Sequence, residues 1–177
     1  KQIENLVNEF SDFARMPKPI LKNNDLVTLV KDNIKLINEL DNGIIISFKT
    51  NSDNIILNSD NEQLSRVFLN LIKNSVESIQ EKKESNNDFK GKIDIFISDD
   101  VLSINFIIVD NGVGFVMLAD NIRNVLNPYF TTKKEGTGLG LSIVNKIIND
   151  HNGLIKFIPI ENGAMIKIEF IKWLKKY

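Results

Sequence analysis

Apolar residues recur along this chain with two periods, and the points where one yields to the other divide it into elements. Ile3, Leu6, Val7, Phe10 and Phe13, with Ala14, repeat at helical spacing. Met16-Pro17-Lys18-Pro19 ends that stretch, because proline lacks an N–H and disfavours helix in the residue before it. A second helix is predicted from the N-cap Asp25 to about Leu40, on Leu26, Leu29, Val30, Ile34 and Ile37, and Asp41-Asn42-Gly43 breaks it. Ile44 to Lys49 and Asn54 to Leu57 read as short strands joined by the polar turn Asn51-Ser52-Asp53.

The third helix carries the most information. Ser59 with Glu62, or Asp60 with Gln63, offers a capping box at its start. Leu64, Val67, Phe68, Leu71, Ile72, Ser75 and Ile79 form one stripe. At ~100° per residue, Asn70, Asn74, Glu77 and Glu81 fall within a ~60° arc on the opposite side. The helix then dissolves into a charged linker from Glu81 to Lys90.

Strict alternation follows. Ile93, Ile95 and Ile97 share one strand face, and Ile104, Phe106 and Ile108 another, with Asp99-Asp100 as a hairpin between them. The second strand delivers Asp110 at its C-terminal end. Phe115 to Thr137 has weak periodicity and holds Pro128, so it reads as a long loop, and such loops in compact domains are usually functional. A helix from about Gly138 to Asp150, ended by Asn152-Gly153, and strands at Leu154–Ile158 and Ala164–Phe170 complete the pattern. Paired strands between helices argue for an α+β fold: an antiparallel or mixed sheet covered by helices on one face.

Composition narrows the function classes. A chain of 177 residues suits one compact domain with a small appendage. The net charge of -1 gives no field that would draw it to nucleic acid or an anionic membrane, so no direct nucleic-acid partner is expected. Zero cysteines exclude disulfides, thiolate metal sites and a thiol nucleophile. No apolar run approaches the ~20 residues that cross a bilayer. Lys1 falls within an already helical pattern, so the chain is expected to be cut from a longer protein.

Four segments offer chemistry. Gly136-Thr137-Gly138-Leu139-Gly140-Leu141 opens a helix, where alternate glycines let the backbone approach an anion and the helix start offers unpaired N–H groups. A flexible loop with a helix cap would look the same. A dinucleotide-binding reading fails because no strand immediately precedes the glycines, and a Walker A reading fails because no Lys-Ser or Lys-Thr follows them. Asp110-Asn111-Gly112-Val113-Gly114 places an acid at a strand end before two glycines. Its carboxylate can accept a hydrogen from an exocyclic amine, although a plain turn fits equally well. Asn70 and Asn74, one turn apart, can hold a hydrated Mg²⁺ and phosphate oxygens, against the alternative of a solvated helix face. In Pro128-Tyr129-Phe130-Thr131-Thr132-Lys133-Lys134 the aromatics can act as a hinge or as core anchors, and a lysine can reach phosphate or solvent.

In order and spacing, these four segments resemble the N, G1, F and G2 boxes of sensor histidine kinases: Asn70 to Ser75, Asp110 to Gly114, Pro128 to Lys133, and Gly136 to Leu141. The resemblance covers about residues 25 to 170. It implies the Bergerat-type two-layer α/β sandwich shared with gyrase, Hsp90 and MutL. It also implies ATP and Mg²⁺ as ligands, with a mobile lid at 115–137. On that resemblance Asp110 binds the adenine amino group and Asn74 coordinates Mg²⁺. Asn70 and Lys133 lie near the phosphates, and Gly112, Gly114, Phe130, Thr131, Gly136, Thr137, Gly138, Leu139, Gly140 and Leu141 complete the nucleotide site.

Asn8 to Pro17 is similar to the end of the dimerisation helix in NtrY-type nitrogen-regulation sensor kinases. Residues 1–19 are therefore expected to be the end of a phosphoacceptor helix plus linker, and 20–177 the catalytic domain. The phosphoacceptor histidine would lie upstream of Lys1. Further implied are dimerisation helices of the same protein, a response regulator receiver domain, a homodimeric full-length protein, and a cytoplasmic place beside an inner membrane. ATP-hydrolysing members of the superfamily resemble one another in placing glutamate where Asn70 stands. An amide cannot accept a proton at neutral pH, so transfer is favoured over hydrolysis. Glu77 reads as a solvated glutamate. His151, the lone histidine, reads as a helix-terminal residue near the negative end of the dipole.

Overall fold

Once the alternating strands pair, every second side chain lies on one side, and that side must be covered. The computed structural model describes residues 15–39, 43–86, 88–114, 126 and 137–172. The helix expected at 3–14 and nearly all of the 115–137 loop lie outside the described residues. In chain order the elements are β1 (Lys22–Asp25), α1 (Leu26–Asn38), β2 (Ile45–Thr50), β3 (Ile56–Ser59), α2 (Asn61–Ser85), β4 (Lys92–Asp99), β5 (Ser103–Asp110), α3 (Gly140–Asp150), β6 (Gly153–Pro159) and β7 (Ala164–Ile171).

Five strands form one mixed sheet in the order β2-β4-β5-β7-β6, with β2 parallel to β4 and every other pairing antiparallel. One face presents Ile93, Ile95, Ile97, Ile104, Phe106, Ile108, Ile166, Ile168 and Phe170, all buried. They join one cluster with Val27, Val30 and Ile34 of α1, Leu64, Phe68 and Leu71 of α2, and Ile143 and Ile147 of α3. This is the two-layer α+β sandwich that the pattern predicts. The Phe68 and Phe106 rings, 4.7 Å apart between centroids, join α2 to the middle of the sheet.

Asp25 caps α1 as expected, its carboxylate accepting from the N–H groups of Val27 and Thr28 and also from Ile55 N–H. At α2 the capping choice resolves to Asp60, which accepts from Gln63 N–H at 3.1 Å, while Ser59 ends β3.

Three features differ from expectation. Strands β2 and β3 fall in separate sheets, because β3 pairs with β1, a strand the sequence pattern did not predict. Lys22-Asn23-Asn24-Asp25 has no apolar alternation to betray it; its pairing rests on the backbone and on Asn24 Nδ2 donating to Ser59 O. Helix α2 continues to Ser85 through the supposed linker, held by Lys82 and Lys83, whose ammonium groups donate to carbonyls of Asn111, Gly112 and Gly43. Helix α3 begins at Gly140, because Gly138 has φ +70°, outside the helical region.

The Phe68 side chain is fully buried against Phe106. Phe68→Ala should therefore lower unfolding free energy by about 3–5 kcal/mol, as read from urea denaturation; a loss below about 1 kcal/mol would show that the α2–sheet contact is not the core.

Candidate functional site

Burial at the end of β5 creates the site's main electrostatic feature. Asp110 is 6% exposed, beneath the middle of α2. Its Oδ2 accepts from the Ser75 hydroxyl at 3.0 Å and its Oδ1 from Gly112 N–H at 2.9 Å. Burial pushes this carboxyl above its ordinary range, while the Gly112 N–H, the Ser75 hydroxyl, the Ala164 amide and the Lys82 charge pull against it. The carboxylate is thus fixed in orientation, with acceptor capacity left for a ligand donor.

The loop after Asp110 is shaped by close backbone approach. A Cβ at Gly112 would lie 2.3 Å from Ser78 Oγ, and one at Gly114, where φ is +69°, would lie 2.1 Å from Gly163 O. Gly163, with φ +114°, in turn abuts the Asp110 carbonyl, so the β6–β7 turn packs on this loop backbone to backbone. From α2, Ser78 O accepts Val113 N–H and the Lys82 ammonium clips the Asn111 and Gly112 carbonyls at 2.8 and 3.0 Å. Lys82 also lies 4.8 Å from the Phe89 ring centroid.

On the neighbouring face of α2, Asn70 and Asn74 are half-buried. Asn70 Nδ2 donates to Arg66 O, and a Cβ added at Gly140 would sit 3.3 Å from Asn70 Oδ1. Asn70 therefore meets the start of α3, where no side chain caps the helix. First-turn amides have no partner within a helix and can hold an anion. Leu139 is wholly buried, so its side chain serves the core and only its backbone faces this region, whereas Thr137, Gly138 and Leu141 are half-buried beside it.

The fold thus sets the Asp110–Gly114 loop and the start of α3 along the middle and later turns of α2, the first through Ser75 and Ser78 and the second through Asn70. Phe130, Thr131, Lys133 and Gly136 lie outside the described residues. Glu77 is half-buried, with Lys73 Nζ at 3.9 Å. A separate groove of about 430 Å³ between α1 and α2, lined by Ile37, Ser65, Arg66 and Leu69 among others, shares Asn70 with this set but nothing of the Asp110 loop. Its walls hold no buried acid, so the Asp110 side is the better candidate.

Ser78, Lys82 and Gly163 are contributors that the motifs do not announce, and Ser75 stands inside a motif but reads there only as a polar member of the apolar stripe.

The chain that builds this arrangement is similar to known proteins. The family model for histidine kinase-, DNA gyrase B-, and HSP90-like ATPases matches residues 59–173. A putative NtrY-like sensor histidine kinase of Rickettsia bellii is 36% identical over 169 residues, which is 95% of this chain and 26% of that protein. The chain thus spans about a quarter of the length of that relative. The nucleotide-free catalytic domain of histidine kinase ThkA superposes with a TM-score of 0.74 at 28% identity, over 86% of this chain and 95% of that one. Histidine kinase ThkA, solved in complex with response regulator protein TrrA, gives 0.77 at 24% identity over 99% and 48%. A match over this much of the chain, on the same elements that build the site, makes this protein a member of the histidine kinase-, DNA gyrase B- and HSP90-like ATPase family.

Proposed function

We propose that the chain binds Mg²⁺-ATP between the middle of α2 and the start of α3 and presents the γ-phosphate to a histidine on a separate helical domain. From there the phosphoryl group passes to a response regulator aspartate. The observation that carries this reading is the buried, pre-oriented Asp110 carboxylate beside a glycine-shaped backbone, under the same helix α2 whose Asn70 lies against Gly140 at the start of α3. Asp110 would accept a hydrogen of the adenine amino group, with the backbone of Gly112 and Gly114 against the ring. The amides from Thr137 to Leu141 would enclose phosphate oxygens, with Asn70 beside them.

Among the described residues no three His, Cys, Asp or Glu side chains group as a metal cage. A divalent cation at Asn74 would complete its shell with phosphate and water, the habit of Mg²⁺. Bound nucleotide supplies the transferable phosphoryl group; the chain contributes position and charge neutralisation. We assign Phe130, Thr131, Lys133 and Gly136 to the lid side of the site, and residues 1–19 to the end of the acceptor helix and its linker.

Asn70 favours transfer over hydrolysis, since its amide already donates to Arg66 O and cannot serve as a general base. In the full protein we place this domain on the cytoplasmic side of a membrane-anchored homodimer. Among the described residues no helix is long and apolar enough to cross a membrane.

With labelled ATP, the chain alone should acquire little stable label, and adding dimerisation helices bearing the acceptor should yield acid-labile phosphohistidine that Asn74→Ala abolishes. Steady phosphate release without label on those helices would instead support an ATPase. Asp110→Asn should weaken ATP binding by about 1–3 kcal/mol in calorimetry, the worth of a charge-assisted hydrogen bond.

The same variant tests the electrostatics. Above the ordinary aspartate value of 3.8, up to its raised folded value, Asp110 keeps a proton in the folded chain that the unfolded chain has lost. Its contribution to stability is therefore complete below 3.8 and disappears as pH rises through the folded value. Without nucleotide, Asp110→Asn should gain stability relative to the unchanged chain across that interval, then show a constant difference. A gap that shrinks as pH rises would reverse the assigned shift.

A further inference from the structure

His151 lies at the far end of α3 from the glycine motif, and it is buried at 7% exposure. Its Nδ1 is 2.8 Å from Ile147 O, a carbonyl, so this nitrogen carries the proton and donates. Its Nε2 accepts from Asp60 N–H at 2.9 Å, across 91 positions of sequence. Both contacts are satisfied by one neutral tautomer, so the ring acts as a fixed bridge between α3 and the first residue of the α2 cap.

Asp60 faces two ways. While its amide is held by His151, its carboxylate caps α2 at Gln63 N–H and accepts from Ile20 N–H at 2.8 Å. Gln63 adds a bond from Nε2 to Pro17 O at 3.0 Å. Ile20 is 70% exposed, so little burial holds this segment, and Met16 supplies its apolar contact with the core. The path of the chain from Pro17 to Ile20, just before β1, is thus set largely by hydrogen bonds that converge on the α2 cap.

We infer that His151 is a positioning residue which, through Asp60, fixes the Pro17–Ile20 segment to the start of the helix whose middle turns line the proposed nucleotide site. The inference deepens the phosphotransfer reading and rests on it in one respect. If the acceptor helix precedes this segment, the bridge sets the angle at which that helix meets the nucleotide. Without the imidazole acceptor, the Asp60 amide loses its partner, the cap rotates, and Ile20 loses its anchor.

The first test needs no nucleotide. In His151→Phe, which keeps a ring but neither nitrogen, amide exchange at Ile20 should accelerate about tenfold, the effect of one lost hydrogen bond, with Ile95 and Phe106 within about twofold. His151→Gln, which retains an acceptor oxygen, should recover most of that protection. Equal protection of Ile20 in His151→Phe would overturn the inference. Should His151→Phe not fold, ring ¹⁵N spectra of the unchanged chain decide the matter: a proton on Nδ1 and a bonded, unprotonated Nε2 are expected, and a proton on Nε2 overturns it.

A second test, in a chain extended to include the acceptor helices, separates position from binding. His151→Phe should bind ATP within about twofold of normal yet transfer phosphate about tenfold or more slowly. Normal transfer in that variant would overturn the positioning role, whereas absence of transfer in the unchanged extended chain would refute the kinase reading and leave the exchange result to stand alone.

Discussion

An ionisable carboxyl buried at a strand end, against the apolar core, is the constraint on which the rest of this structure turns. Asp110 ends β5 directly beneath α2, where burial opposes its charge. The surrounding chain meets that cost with oriented donors: the Ser75 hydroxyl from above and the Gly112 amide from the next turn. Those donors require α2 and the loop to lie at fixed distances from the strand end. Ser75 must point inward from α2, which it does because Leu71, Ile72 and Ile79 on the same stripe are fully buried. The core and the site are therefore one packing problem.

Glycine is the second part of that solution. At Gly112, Gly114 and Gly163 the backbones of α2, the post-Asp110 loop and the β6–β7 turn approach closer than any side chain permits. The result is a tightly packed backbone floor held against Ser78 of α2. Lys82 fastens this floor from the side, and the prolonged α2 exists largely to deliver it. At the other end, His151 joins the end of α3 to the α2 cap through Asp60, while Gly140 at the start of α3 lies against Asn70.

Most of this was legible where pattern and burial coincide. The Ile93, Ile95, Ile97 alternation marked β4 because a single face of the sheet is covered, and the Asp110–Gly114 and Gly136–Leu141 motifs marked the candidate site because their chemistry is local in sequence. Strand β1 was not legible, since Lys22 to Asp25 pairs through its backbone and shows no periodic side chains. The last turn and a half of α2 was hidden because its charged residues look like a linker until Lys82 and Lys83 meet their distant carbonyls. Ser75 read as core, and His151 as a helix end; each was placed correctly along its helix, but their partners are 35 and 91 residues away. Spacing along a chain reports its own helix or strand well and says little about a hydrogen bond across the fold.

The central claim is that Asp110 reads the amino group of adenine. It is tested most directly by titrating the chain calorimetrically with ATP and with purine riboside triphosphate, which carries hydrogen in place of that amino group. Loss of the donor removes one hydrogen bond to a buried carboxylate, so the analogue should bind more weakly by about 1.5–3 kcal/mol. Equal affinity for the two nucleotides would contradict the account.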